Sequence, residues 1–443
     1  GRGTRKASGG GAPPPRSADD ADIGFSVLRI GFMADVEGVF GDDAVFAAQL
    51  AVDRLNADAS ILPEHRVQLA VANSASEKAT LRGGLRLITE DHVSGIAATE
   101  FSFTTRVMSL AAAVLGVPQV AWGATSPTLS DKTTHTFLAR TVPSDAQQAR
   151  VMAGIVHRYN YERVFLISST DTYGAGLQRA VERTMLATGV EVARSVTYAL
   201  GSTVDTLLDS LAGLKADAEA RGAPGVFVLV GLANGGAELL IAAHRLGLIG
   251  DARRVWILAD GLAAYADDLV KRGVDMAWLE GSLGVVPAKA GGATYEREYL
   301  PAWTAYRDAL RANASALGTA QRSEPFLYAP YAHDAVYAIG RALDDVRRRY
   351  PSADLSPRGT NGTTVRDAVR RARFAGATGT VSFLPYTGDR PALYDVTNVR
   401  GGAYAKVGSF VATTVDARED EITSLGPSYM ADDGGDGDGG GGS

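Results

Sequence analysis

Residues 118–176 constrain this chain more than any other stretch: PQVAWGATSPTLSDKTTHTFLARTVPSDAQQARVMAGIVHRYNYERVFLISSTDTYGAG. The apolar run at 118–122 predicts a buried strand that empties into a Thr/Ser/Pro loop, and a second strand is predicted at 136–141. Ser144 and Gln147 then stand at capping-box spacing, so a helix should begin there. A third apolar strand, 163–169, stops at a polar loop holding Tyr173. This one stretch therefore carries the chain out of one α/β unit and into another. Ligands favour crevices at strand carboxyl ends.

The same alternation runs on both sides. Strands are predicted at 26–35, 66–72 and 95–98, with helices at 42–56, 78–88 and 104–115. Beyond the central stretch come helix 176–187, strand 191–198, helix 204–221, strand 225–232, helix 237–246 and strand 254–260. Strands separated by helices imply parallel sheets with right-handed crossovers. Segment 284–288 is expected to lead back to the first unit, followed by helices at 294–311, 328–348 and 364–373. A length of 443 residues suits two domains. Residues 1–23 read as a disordered leader and 416–443 as a flexible, acidic, glycine-rich tail. The chain opens on Gly1 rather than Met, compatible with a removed signal peptide or with a fragment.

Composition excludes several classes. The net charge of −6 is spread along the chain and leaves no basic footprint for nucleic acid. The absence of cysteine removes disulfides, thiolate catalysis and cysteine-based zinc sites together. The six histidines, His65, His92, His135, His157, His244 and His333, show no ligand-like pairing, so no metal and no cofactor is expected. Gly174-Ala175-Gly176 follows a strand as a dinucleotide fingerprint would, but Arg179 occupies the position where a small residue is needed. With no Walker loop or nucleophile elbow either, the chain is expected not to be an enzyme. The longest apolar run, 111–124, is broken by Gly116 and Pro118, so no membrane span is expected.

The segments ATSPTLSDK, FLARTVPSDAQQARVMAGIVHRYNYERV and the pair Tyr173-Gly174 resemble the hinge region of class C receptor ectodomains. Within that family they are most similar to metabotropic glutamate receptors. The resemblance implies a bilobed type I periplasmic-binding-protein fold, the Venus flytrap, with two parallel-sheet α/β lobes joined by three crossings. It places 24–144 and 285–390 in the first lobe, and 145–284 and 391–415 in the second. FAGATGTVSFLPYTGDRPALYDVTNV resembles the late hairpin and final crossing strand. The lack of cysteine departs from animal members, which usually carry disulfides.

Five positions match the family's α-amino-acid signature. The resemblance implies that the Ser102 hydroxyl meets a ligand carboxylate and that Thr125 serves both carboxylate and amino group. It likewise implies that the Asp145 backbone carbonyl holds the ammonium, that the Tyr173 ring covers it, and that Asp260 supplies negative charge. Each has a plainer reading from local pattern: an N-cap serine before a helix near Thr104, a turn threonine, a first-turn acid, a loop aromatic and a turn aspartate. The family's distal arginine and lysine align with Ala44 and Tyr328. With Phe40 these suggest an apolar or aromatic distal pocket and argue against glutamate as ligand. Glu100 adds unexplained negative charge beside Ser102. The resemblance thus implies the extracellular sensory domain of a receptor that closes on an amino acid, dimerises through its first lobe (42–57 and 104–115) and is tethered to a membrane or signalling domain. The other reading is a free periplasmic-type protein delivering amino acids to a transporter. Asn313-Ala-Ser and Asn361-Gly-Thr are glycosylation sequons.

Overall fold

The computed structural model describes residues 25–220, 225–250, 253–313, 318–355, 361–391 and 393–411. The expected leader at 1–23, the tail at 416–443 and part of the Asn313 sequon lie outside the described residues.

Among the described residues the strands form two large sheets and a hairpin. The first sheet holds β1 (Ser26–Ala34), β2 (His65–Asn73), β3 (Ile96–Ala97), β4 (Gln119–Ala121) and β5 (Leu138–Arg140). Its order is β2-β1-β3-β4-β5 and every pairing is parallel. The second sheet opens with β6 (Arg163–Ser169), β7 (Glu191–Tyr198), β8 (Gly225–Val230), β9 (Arg254–Leu258) and β10 (Leu283–Pro287). After the hairpin of β11 (Arg373–Gly376) and β12 (Gly379–Ser382), the chain rejoins it through β13 (Leu393–Arg400) and β14 (Ala403–Val411). The resulting order is β14-β13-β10-β9-β8-β6-β7, antiparallel only at β10–β13 and β13–β14. Helix Ala329–Arg349 and the hairpin pack into the first core, so the chain passes between the two lobes three times. This is the bilobed, mostly parallel α/β architecture that the resemblance implied.

Burial explains the sequence patterns. β8, GVFVLV, is buried at every position, as a central strand covered by helices on both faces must be. Edge strand β7 is exposed or half-buried along most of its length. Helix Ser102–Leu115 ends where Gly116 takes a left-handed φ of 68°, which a glycine adopts without a Cβ clash.

Three expectations shift. β10 is buried throughout and pairs with β9 and β13, so the return to the first lobe follows Pro287 rather than starting at 285. An apolar run reads alike whichever sheet receives it. Helix Ala233–Arg245 begins four residues before the expected 237, across a kink at Asn234 and Gly235, where φ is 92° at the glycine. Helix Gly362–Arg371 begins two residues before the expected 364 because Asn361 caps it, its side chain accepting from the Thr363 N–H, so this sequon lies at a helix start.

One buried ion pair shapes the inner rim of the first lobe. Arg140 is wholly buried, and its Nε donates to Asp389 Oδ1 at 2.6 Å. Its remaining nitrogens donate to the carbonyls of Ala124 and Ser126 and to Ser130 Oγ. Burial alone would raise the Asp389 pKa, but the Arg140 guanidinium, then the Lys132 charge and the Ser130 hydroxyl, bring it below the usual carboxylate value. Asp389→Asn leaves a buried guanidinium without its counter-charge. The expected loss is about 3–5 kcal/mol in denaturant unfolding at neutral pH. A loss below about 1 kcal/mol would show that the pair is not needed to hold the loop.

Candidate functional site

The central stretch supplies one wall of a cleft between the lobes. Thr125 is buried on the loop held by Arg140, and its carbonyl accepts from the Asp145 N–H at 2.9 Å. Ser102 is the first residue of its helix rather than a residue before it. The N-cap is Phe101, which makes no side-chain capping bond, while the hydroxyls of Thr99, Thr104 and Thr105 interlink across the helix start. This hydroxyl cluster lets the helix start two residues before the expected 104. Ser102 Oγ instead accepts from the Ser126 N–H at 3.2 Å, which ties helix and loop together.

The opposite wall comes from the second lobe. Tyr173 lies in the first turn of helix Thr172–Ala187, whose N-cap Asp171 accepts from the N–H groups of Tyr173 and Gly174. Its hydroxyl donates to Asp260 Oδ1 at 2.5 Å and accepts from the Gly261 N–H. Asp260 opens the short helix Asp260–Ala263 instead of ending a strand. Its Oδ1 also accepts from Gln148 Nε2 at 2.9 Å, and its Oδ2 accepts from the Tyr328 hydroxyl. Tyr328 caps helix Ala329–Arg349 of the first lobe, so this last bond spans the lobes. Burial raises the Asp260 pKa, and the three side-chain donors offset only part of that rise.

Ser102, Thr125, Tyr173, Asp260 and Tyr328 therefore line one cavity of about 20 Å³, together with Glu100. Asp145 lies behind the wall. It is the first residue of helix Asp145–Arg158 and is fully buried, and neither carboxylate oxygen has a hydrogen bond of normal geometry. Burial first, then the Asp260 charge, raises its pKa well above the carboxylate range, against the pull of Thr125 and Arg140. The capping box is incomplete: Ser144 Oγ accepts from Ala146 N–H, while Gln147 Oε1 accepts from Arg150. Of the expected distal pocket, Ala44 belongs to the first core. Phe40 stacks on Phe326 at 3.8 Å between ring centres, with the Arg322 guanidinium 4.5 Å from its own ring centre. Tyr265 of the second lobe meets Phe40 edge-on and lines the cavity.

Sequence reasoning missed Gln148 and Tyr265 as site residues. Gln148 lies one turn from Asp145 on the same helix, a spacing that could have flagged it. Tyr265 carries no local signal. The glycines that resembled a nucleotide fingerprint have a packing cause. A methyl group at Gly174 would meet the Ser169 backbone, and one at Gly176 would meet Ser126 Oγ, which donates to the Thr172 carbonyl across the cleft.

The fold and the cleft define a bilobed binding domain. The chain belongs to the receptor family ligand-binding region, whose family model matches residues 45–402. It is 24% identical over 400 residues to glutamate receptor 3.1 of Oryza sativa subsp. japonica, covering 86% of this chain and 41% of that protein. It is also 24% identical over 424 residues to metabotropic glutamate receptor 4 of Rattus norvegicus, covering 82% and 46%. Metabotropic glutamate receptor 6 of Oryctolagus cuniculus is 22% identical over 407 residues, covering 78% and 46%. The chain thus spans under half the length of these relatives. Among the described residues, no helix is long and apolar enough to cross a membrane.

Glu100 gives the cleft a proton-dependent element. Burial raises its pKa to about 7, partly opposed by the Asp35 N–H donated to Oε1 at 2.7 Å. A raised carboxylate favours the protonated folded form. Its destabilising effect is complete above about pH 7 and fades as pH falls toward the ordinary value of 4.5. Melting temperature measured between about pH 5 and 8 should therefore rise on acidification, and Glu100→Gln should flatten that slope. Identical slopes for the two proteins would show that Glu100 does not titrate in this window.

Proposed function

We propose that this chain is the extracellular sensory domain of a receptor, closing around a small α-amino acid and signalling through lobe closure. One observation supports it above the rest: Asp260 takes a hydrogen bond from each lobe beside Ser102 and Thr125. A ligand ammonium suits the Asp260 side, flanked by the Tyr173 ring. A ligand carboxylate suits the Ser102 side, where the first N–H groups of helix Ser102–Leu115 lie. The cavity of about 20 Å³ holds no more than a water with the lobes as they stand, so the ligand enters a more open cleft; each lobe then holds one end of the zwitterion, and differential affinity for the form closed on it shifts the population toward closure. The domain works by binding rather than catalysis, in keeping with relatives that are named as receptors. Tethering to a membrane or signalling domain, and pairing of two first lobes, complete the reading.

Titration calorimetry of the purified chain against the common α-amino acids tests it, with micromolar to millimolar binding expected. Ser102→Ala and Asp260→Asn should each weaken that binding roughly tenfold or more through a lost charged hydrogen bond. Tyr328→Phe should enlarge the ligand-free molecule in small-angle scattering by loosening the bond between lobes. If no amino acid binds, or if both cleft variants bind as the parent does, the reading is wrong.

A further inference from the structure

The cleft carries more negative charge than a zwitterion can use. Glu100 is 9% exposed and lines the cavity beside Ser102. Its Oε1 accepts from the Asp35 N–H, while neither its Oε2 nor the buried Ser74 hydroxyl makes a hydrogen bond of normal geometry, although that hydroxyl lies near enough to favour the carboxylate. Asp260 is the second acid of the lining, and no lining residue is lysine, arginine or histidine. The buried guanidinium groups around the cleft are already committed, Arg140 to Asp389 and the loop carbonyls, and Arg322, over the Phe40 ring, to Asp43. An α-ammonium at Asp260 and an α-carboxylate at Ser102 and Thr125 would leave Glu100 unmatched. An unmatched buried carboxylate is costly, and a second cation removes that cost.

Resting on the amino-acid reading above, we propose that the ligand is a basic α-amino acid, and that Glu100 selects the ammonium or guanidinium at the end of its side chain. The aromatic walls agree, since the Tyr265 and Tyr328 rings suit an organic cation with an alkyl stem. Among the described residues no group of three acids or histidines is placed to hold a metal ion. Beyond burial, the groups acting on Glu100 are the Asp35 N–H, its own backbone N–H and the Ser74 hydroxyl, which favour its ionisation, and the Asp35 charge, which opposes it; Tyr265 faces it from the second lobe. With its pKa near 7, Glu100 is part-protonated at neutral pH, and an arriving cation would expel that proton.

Calorimetry of the whole chain at neutral pH, in two buffers of different ionisation enthalpy, tests this with lysine and arginine against norleucine and cadaverine. Lysine or arginine should bind roughly 10- to 100-fold tighter than norleucine, with release of protons. Glu100→Gln should erase both the preference and the release. Norleucine binding as tightly as the basic amino acids overturns the proposal and leaves the amino-acid reading intact, and this comparison needs no variant to fold. A preference that survives Glu100→Gln overturns it too. Cadaverine, which lacks the carboxylate, binding as well as lysine overturns the amino-acid reading and this proposal together. Absence of binding by any of the α-amino acids does the same.

Discussion

The structure turns on a carboxylate buried at the junction of two lobes with no cation beside it. Asp260 is 2% exposed, and such a group survives out of water only when its oxygens are hydrogen-bonded. Two donors, Tyr173 and Gln148, come from its own lobe, and the third, Tyr328, comes from the other. Satisfying Asp260 and bringing the lobes together are therefore one event. Any group that replaces the Tyr328 donor changes how closely the lobes sit.

The two walls differ in the kind of charge they bury. Behind the first-lobe wall, Arg140 and Asp389 neutralise each other, and the spare guanidinium donors fix the loop that carries Thr125. That loop also contacts the second lobe through Ser126, where Gly176 lets the helix approach. Across the cleft, Asp260 and Asp145 have no paired cation, only the weaker pull of Arg140 on Asp145, and burial raises both pKa values. The Arg140–Asp389 pair thus lies behind a first-lobe wall whose own Glu100 has no counter-charge, opposite a second-lobe wall whose acids are also short of positive charge. That shortfall on both sides is what a cationic group entering between them would relieve.

Much of the fold was legible because its signals are local. The alternation of buried strands with amphipathic helices, the glycine after Leu115 and the capping serine at 144 each act within a few residues. The misreadings have the same root. The run at 284–288 could pair with either sheet, and only the edges offered by β9 and β13 decide that it stays in the second. The start of helix Ser102–Leu115 depended on a hydroxyl cluster whose members are ordinary threonines in sequence.

By itself the sequence determined two parallel α/β lobes and a hinge rich in hydroxyl and acidic residues, since hydrophobic period and turn chemistry are properties of neighbouring residues. Only the tertiary structure decided which of those residues share a cleft. Tyr173 lies 87 positions from Asp260, and Tyr328 lies 68 positions beyond it. It also decided that Asp145 sits behind the wall, that Gln148 and Tyr265 join the site, and that Glu100 keeps an oxygen unpartnered. Burial and hydrogen-bond partners are set by segments distant in the chain, so the electrostatics of the cleft exist only once the lobes are folded against each other.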